Sequence, residues 1–344
     1  MRVIRKYLPG VLTTILLALV SIFLSGIIPY QLISAGVFAL LIGMYLNPQV
    51  SKYTKFEPGF DLTSKKVLRL AIILMGASLS FSQVVEVGKF SLFVMVFTLI
   101  TAFGGGYLLG KAFNMNWKLS SLISAGTGIC GGSAVAAIAP VIEAEDSDIA
   151  YAISATFIFD IVMVILFPIM GRYFNMTDLG YGLWTGTAVN DTSSVVAAGY
   201  AFSDAAGSFS VIVKLTRTLS IVPIVLIFSY INERLTRKAS NSVNDKATVQ
   251  SREKVDIKKI FPWFILMFLA VVAIKSTGII PEMICQSITK TSKFFMVMSL
   301  GAIGLKTNYN KLAKSGFKPM LHGFIISALV VIVSFLVQML VGQV

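Results

Sequence analysis

The sequence predicts an all-α polytopic membrane protein, and three observations carry that expectation. Of 344 residues, 56% are hydrophobic and only 13% charged, against about 25% charged in ordinary soluble domains, and the mean hydropathy is +0.82. Apolar runs long enough for a hydrocarbon core, about 20 residues, recur along the whole chain. The Lys and Arg residues behind a net charge of +13 cluster between those runs rather than on basic faces interleaved with aromatics. The charge therefore reads as topology and not as a nucleic-acid surface.

Eleven spans are expected, at roughly 7–28, 31–48, 66–82, 90–113, 119–141, 148–171, 179–201, 207–231, 260–279, 289–306 and 316–342. The first follows Arg2, Arg5 and Lys6, but its apolar run is long and no small-x-small cleavage pattern follows, so it is expected to be an anchor and not a signal peptide. With the N-terminus inside, 23 of the 29 Lys and Arg residues fall in inner segments, which satisfies the positive-inside rule and places the C-terminus outside. The acidic stretch Glu143, Glu145, Asp146 and Asp148 then falls outside. Residues 232–259 are polar, highly charged and free of aromatics. They are expected to form a cytoplasmic linker between spans one to eight (1–231) and the last three (260–344), within one transport domain.

Enzymatic chemistry finds little support. Cys130, Cys285 and the single His322 cannot assemble a zinc site, and no metal or cofactor is expected. His322 reads as an interfacial residue. A serine nucleophile at Ser193 or Ser194 needs a base, and the one histidine lies in a distant span. GTGICG fits a dinucleotide fingerprint only as a string, since no strand can precede it inside an apolar span. The chain has no GxxxxGK[ST] sequence, so energy for transport has to come from an ion or solute gradient.

The most informative feature is a pair of related polar breaks inside spans, GTGICGGSAVAA from Gly126 and GTAVNDTSSVVA from Gly186. They match at Gly126/Gly186, Thr127/Thr187, Ser133/Ser193, Val135/Val195 and Ala137/Ala197, and the likeness runs on through Ser147-Asp148/Ser203-Asp204 and Pro168/Pro223. An internal duplication of a two-helix unit is expected. Small residues in membrane helices also serve close packing, the whole reading given to Gly106 and Gly110. Irregular backbone at membrane depth survives, however, only where protein or a water-filled cavity satisfies it. Half-helices that end there offer N–H groups to anions and carbonyls to cations.

Four ionisable residues lie within spans: Asp160, Asp191, Lys214 and Arg217. At 1.5 Å per residue, the first two and Arg217 sit about 15–18 Å deep, with Lys214 somewhat shallower, all near the level of the breaks. A structural charge network and a transport site are both open readings. In the transport reading the anion is held by Thr127, Gly128, Gly131, Gly132, Ser133, Thr187, Asn190, Thr192, Ser193, Ser194, Lys214 and Arg217. Asp160 and Asp191 then bind a coupling proton or sodium ion. The alternative is a cation/proton antiporter in which the two carboxylates are the substrate site.

At these residues the chain resembles the YeiH-type family, bacterial inner-membrane proteins named for sulfate export. The resemblance rests on GTGICGGSAVAAIAPVI (Gly126 to Ile142), GTAVNDTSSVVAAG (Gly186 to Gly199), VKLTR (Val213 to Arg217) and MGASL (Met75 to Leu79). More distantly, Met75 to Lys89 and Cys130 to Pro168 are similar to the bile acid:sodium symporter superfamily, which implies crossed discontinuous helices and alternating access. A small anion of the sulfate, sulfonate or carboxylate class is the expected substrate; sulfate itself, and export as direction, are implied by the family's name alone. Dimers occur among transporters of this build, and the first span is a candidate interface. The family often has a histidine where this chain has Asn190, so histidine-based proton coupling is not implied. That superfamily is built on inverted repeats. The two breaks here are one span apart and run in the same direction if every segment crosses.

Overall fold

The computed structural model describes residues 2–27, 34–242, 261–307 and 316–343, and every regular element within them is a helix. Among the described residues, five segments are long and apolar enough to cross a membrane: Lys6–Ile27, Phe81–Ala112, Ser147–Tyr173, Asp204–Leu235 and Phe317–Leu340. Of the expected linker, residues up to Ser242 continue a helix, and 243–260 lie outside the described residues.

Helices α1 (Arg2–Ile27), α2 (Ala35–Val50), α3 (Glu57–Leu62) and α4 (Leu68–Met75) form one side of the bundle. Next come α5 (Phe81–Ile100) and α6 (Gly106–Ala112), joined through a π-helical turn. The expected fifth span is α7 (Trp117–Ala125), a π-helical turn over Gly126–Cys130, and α8 (Gly132–Ile138). After α9 (Asp146–Tyr173), the expected seventh span is α10 (Asp178–Ala188) and α11 (Thr192–Phe202). The described elements close with α12 (Asp204–Thr218), α13 (Ile221–Ser242), α14 (Trp263–Ser276), α15 (Glu282–Lys306) and α16 (Phe317–Leu340).

The two broken segments are hairpins rather than crossings. Lys118, at the start of α7, donates from Nζ to the Glu143 carbonyl beyond α8 at 2.7 Å, so the chain enters and leaves at one end of the bundle. Asp178, at the start of α10, likewise accepts from Ser203 Oγ beyond α11 at 2.5 Å. The Tyr181 ring stacks on Phe202 at 4.0 Å and its hydroxyl donates to the Ala198 carbonyl at 3.0 Å. Between them α9 is a single helix of 28 residues, about 42 Å long, so the hairpins enter from opposite ends. This corrects the expectation that both segments span, and with it the sides of two loops. Arg172 lies at the end opposite Lys118, and Glu143 lies at the same end as Lys118.

The hairpins turn for different local reasons. Gly131 holds φ +65° and ψ −136°, a conformation that residues with a Cβ avoid. In the second, Val189 and Asp191 are extended, and the Asp191 carboxylate accepts from the Ser193 N–H at 2.8 Å to cap α11. Both hairpins also follow the same helix stop. Asn114 and Asn175 each take φ 51°. The N–H of Met115 donates to Gly110 O at 2.9 Å and that of Met176 to Gly171 O at 3.0 Å, the six-to-one bond of a left-handed C-cap.

Small residues set the spacing around them. A Cβ on Gly106 or Gly110 would strike Ser124 or Ser120 of α7, so these two glycines do serve close packing. One on Gly186 would lie 2.6 Å from Val213 Cβ of α12. His322 is fully buried: its Nε2 lies 3.1 Å from Gly106 O and 3.2 Å from Ser120 Oγ.

Candidate functional site

The tips of the two hairpins meet in the middle of the bundle. Gly131 packs on Asp191, leaving 3.1 Å between Asp191 Cβ and the place a Gly131 side chain would start. Each tip presents groups of a helix end that lack a partner within their own helix, carbonyls where α7 and α10 stop and N–H groups where α11 begins.

The four intramembrane charges answer those ends in sign. Arg217 of α12 donates from Nε to Gly128 O at 2.5 Å, from one terminal nitrogen to Thr187 O at 2.5 Å, and from the other to Thr127 O. Lys214, one turn earlier, donates to Val189 O at 2.9 Å. Both cations thus sit at helix C-terminal carbonyls, where the helix dipole favours positive charge. Asp160 of α9 accepts from the N–H groups of Asn190 and Asp191, 2.8 Å each, at the start of the following half-helix. Asp191 also accepts from the Ser193 hydroxyl. Placing Arg or Lys at the centre of a membrane helix costs about 2.5–3.5 kcal/mol, and a hydrogen bond to a charged group returns about 1.5–3 kcal/mol. Three such bonds hold Arg217 in place without a ligand.

The convergence at one depth, which counting along the helices implied, therefore has a structural cause. The partners are backbone groups rather than the Asp–Arg pairs of the charge-network reading. Thr127, Thr187, Asn190 and Ser194 are buried behind the tips. Thr187 Oγ1 donates to Leu183 O at 2.6 Å, and Asn190 Nδ2 donates to Ser327 Oγ at 3.2 Å.

A cavity of about 1160 Å³ reaches the tips from one end of the described bundle. Tyr53, Lys65, Arg69 and Lys306 surround its mouth, while Gly132, Ser133, Asp160, Asp191, Thr192 and Ser193 line its deep end. Lys214 and Arg217 do not line it. Helix α8 starts at the deep end with no side-chain cap, and Ser133 is exposed to the space. At the mouth Lys306 forms an ion pair with Asp61 that holds this carboxyl below its usual range.

One signal in the sequence was missed. Gly110-Lys-Ala-Phe-Asn-Met115 and Gly171-Arg-Tyr-Phe-Asn-Met176 share Gly, Phe, Asn and Met at a spacing of 61, so the repeated unit begins with the helix stop that precedes each hairpin. An asparagine at the same point before both breaks marks a left-handed helix end, and a helix that stops there re-enters from the end it has just reached.

These features define a polytopic helical membrane protein with two opposed hairpins meeting at a buried polar site. The family model described as "Conserved hypothetical protein 698" matches residues 9–323, and the chain belongs to this family, whose members carry the name UPF0324 membrane protein. It is 75% identical over 342 residues to a UPF0324 membrane protein of Clostridium tetani, covering 99% of both chains. A Streptococcus pneumoniae relative of that name is 38% identical over 341 residues, 97% of each chain. One from Fusobacterium nucleatum is 38% identical over 353 residues, 97% of this chain and 98% of its own.

Proposed function

We propose that this protein is a secondary transporter of a small anion, of the sulfate, sulfonate or carboxylate class, working by alternating access. The observation that carries the reading is the cavity that runs from one end of the bundle and stops at the crossed hairpin tips. Nine segments pass the membrane and two re-enter it, and α7–α9 and α10–α13 are inverted copies of one unit. An odd number of passes leaves the N-terminus inside and the C-terminus outside, with the basic mouth facing the cytoplasm.

Lys65, Arg69 and Lys306 draw an anion into the mouth. At the deep end it meets the hydroxyls of Ser133 and Thr192 and the uncapped N–H groups at the start of α8. Lys214 and Arg217 do not touch it; they fix the carbonyl ends so that the tips keep their shape. Asp191 lies on the same floor, and an anion beside a bare carboxylate is repelled. A proton or sodium ion on Asp191 removes that repulsion, so anion and cation favour each other's binding, which is the coupling that transport requires. Asp160 is committed to two backbone N–H groups and serves the second hairpin's position.

The composition of the floor favours one rival. Asp160 and Asp191 line the cavity while Lys214 and Arg217 do not, the arrangement a cation/proton antiporter would use. Counterflow in proteoliposomes separates the two: labelled sulfate or a sulfonate exchanged by the wild type supports the anion reading. Cation exchange without anion exchange replaces it.

A further inference from the structure

The cavity accounts for access from one end, and α16 carries an unusual face toward the other. Ser327, Ser334 and Gln338 fall within about 40° of one another at 100° per residue, and all three are fully buried in a mostly apolar helix. They meet the backs of the hairpins. Thr127 Oγ1 lies 3.3 Å from Ser327 Oγ, which also accepts from Asn190 Nδ2 at 3.2 Å. Thr187 Oγ1 lies 2.5 Å from Ser334 Oγ, which accepts from Gln338 Nε2 at 3.1 Å. Two carbonyl oxygens on this line, Asn190 Oδ1 and Gln338 Oε1, are buried and receive no hydrogen bond from the described residues.

A row of polar side chains at membrane depth is expensive unless each group is satisfied or faces water. Here the row runs from Gln338, near the end where Gln343 packs on Gly180 of α10, to Asn190 at the tips, where the cavity stops. The two orphaned amide oxygens stand at its two extremities.

We propose that Thr127, Thr187, Asn190, Ser327, Ser334 and Gln338 form the opposite half of the permeation path, the seam along which α16 and the α10–α11 hairpin part to admit water and a small hydrophilic solute. This rests on the transporter reading and adds the second access route. In the structure described here the seam is closed by hydroxyl-to-hydroxyl and amide-to-hydroxyl bonds, which exchange readily for bonds to water.

Single cysteines test it in the full-length protein with Cys130→Ala and Cys285→Ala as background, each variant first checked for a melting temperature close to the wild type. Ser334→Cys and Gln338→Cys probe the seam. Val330→Cys on a buried apolar position and Ile332→Cys on an exposed one are controls. A membrane-impermeant maleimide is applied to intact cells and to inverted vesicles, and loss of the free thiol is read. Loss at Ser334→Cys and Gln338→Cys from the Gln343 side, with none at the controls, supports the path. Stable variants that keep both thiols free from that side overturn it. Counterflow of labelled sulfate by the same background protein is scored separately, so failure of the seam and failure of the transporter reading are told apart.

Discussion

Gly131 and Asp191 touch at the tips of two hairpins that enter the bundle from opposite ends, and the contact leaves 3.1 Å between Asp191 Cβ and the position of any Cβ on Gly131. Gly131 also holds φ +65°. Gly131→Ala therefore meets two penalties, a strained backbone worth about 1–3 kcal/mol and a neighbour that must give way. A clearly lower melting temperature in detergent and lost transport are expected. A variant that melts with the wild type would show that the tips do not pack as described.

Arg217 satisfies three carbonyls with one planar group, a geometry that lysine's single ammonium cannot reproduce. Arg217→Lys is expected to destabilise the protein by at least about 2–3 kcal/mol, the worth of the charge-assisted bonds it drops. Chemical denaturation in detergent measures it. Wild-type stability would mean that the guanidinium is not what ties the two hairpins together.

Asp160 and Asp191 should separate by phenotype. Asp160→Asn turns an amide NH₂ toward a backbone N–H and is expected to cost about 1–3 kcal/mol of stability. Asp191→Asn keeps a good helix cap, since asparagine caps as well as aspartate. It should fold normally and lose ion-coupled flux. Unchanged dependence of flux on pH and sodium in Asp191→Asn removes that residue from coupling.

The Asp61–Lys306 pair at the mouth predicts a pH signature. Its carboxyl is held below the ordinary value of 3.8, chiefly by the hydrogen bond from Lys306. The stabilisation is thus present above that value and fades as pH falls through the lower, folded one. The melting-temperature gap between wild type and Lys306→Gln should be small, because the pair is half-exposed, should hold steady above about pH 5, and should shrink as pH falls below 3.8 toward the folded value. A gap that does not change with pH assigns the effect of Lys306 to packing.

Much of this was legible in the chain. Apolar run lengths gave helices, and the breaks at Gly126 and Gly186 lie where the hairpin tips form. What residue counting could not supply was direction, because an apolar stretch of 20 residues interrupted by glycine can cross or turn back. Contacts between residues far apart in sequence, Lys118 with Glu143 O and Ser203 with Asp178, reveal that each pair of half-helices returns to the end it entered from. The charged residues do converge on the hairpin tips, but their partners are backbone groups of distant helix ends, which leave no pattern in sequence. Once the hairpins are recognised, the two breaks point in opposite directions along the bundle.

The most direct test is thermal stabilisation of purified protein by sulfate, sulfite, thiosulfate, short sulfonates and carboxylates, with and without sodium and across pH, in the wild type and in Ser133→Ala/Thr192→Val. A ligand at 100 times its Kd stabilises the folded state by about 2.7 kcal/mol, well within reach of a melting curve. An oxyanion at the hairpin tips predicts an anion-specific rise in the wild type that is lost in the double variant. A response to sodium or pH with none to any anion, or an anion response that survives undiminished in the double variant, would contradict it.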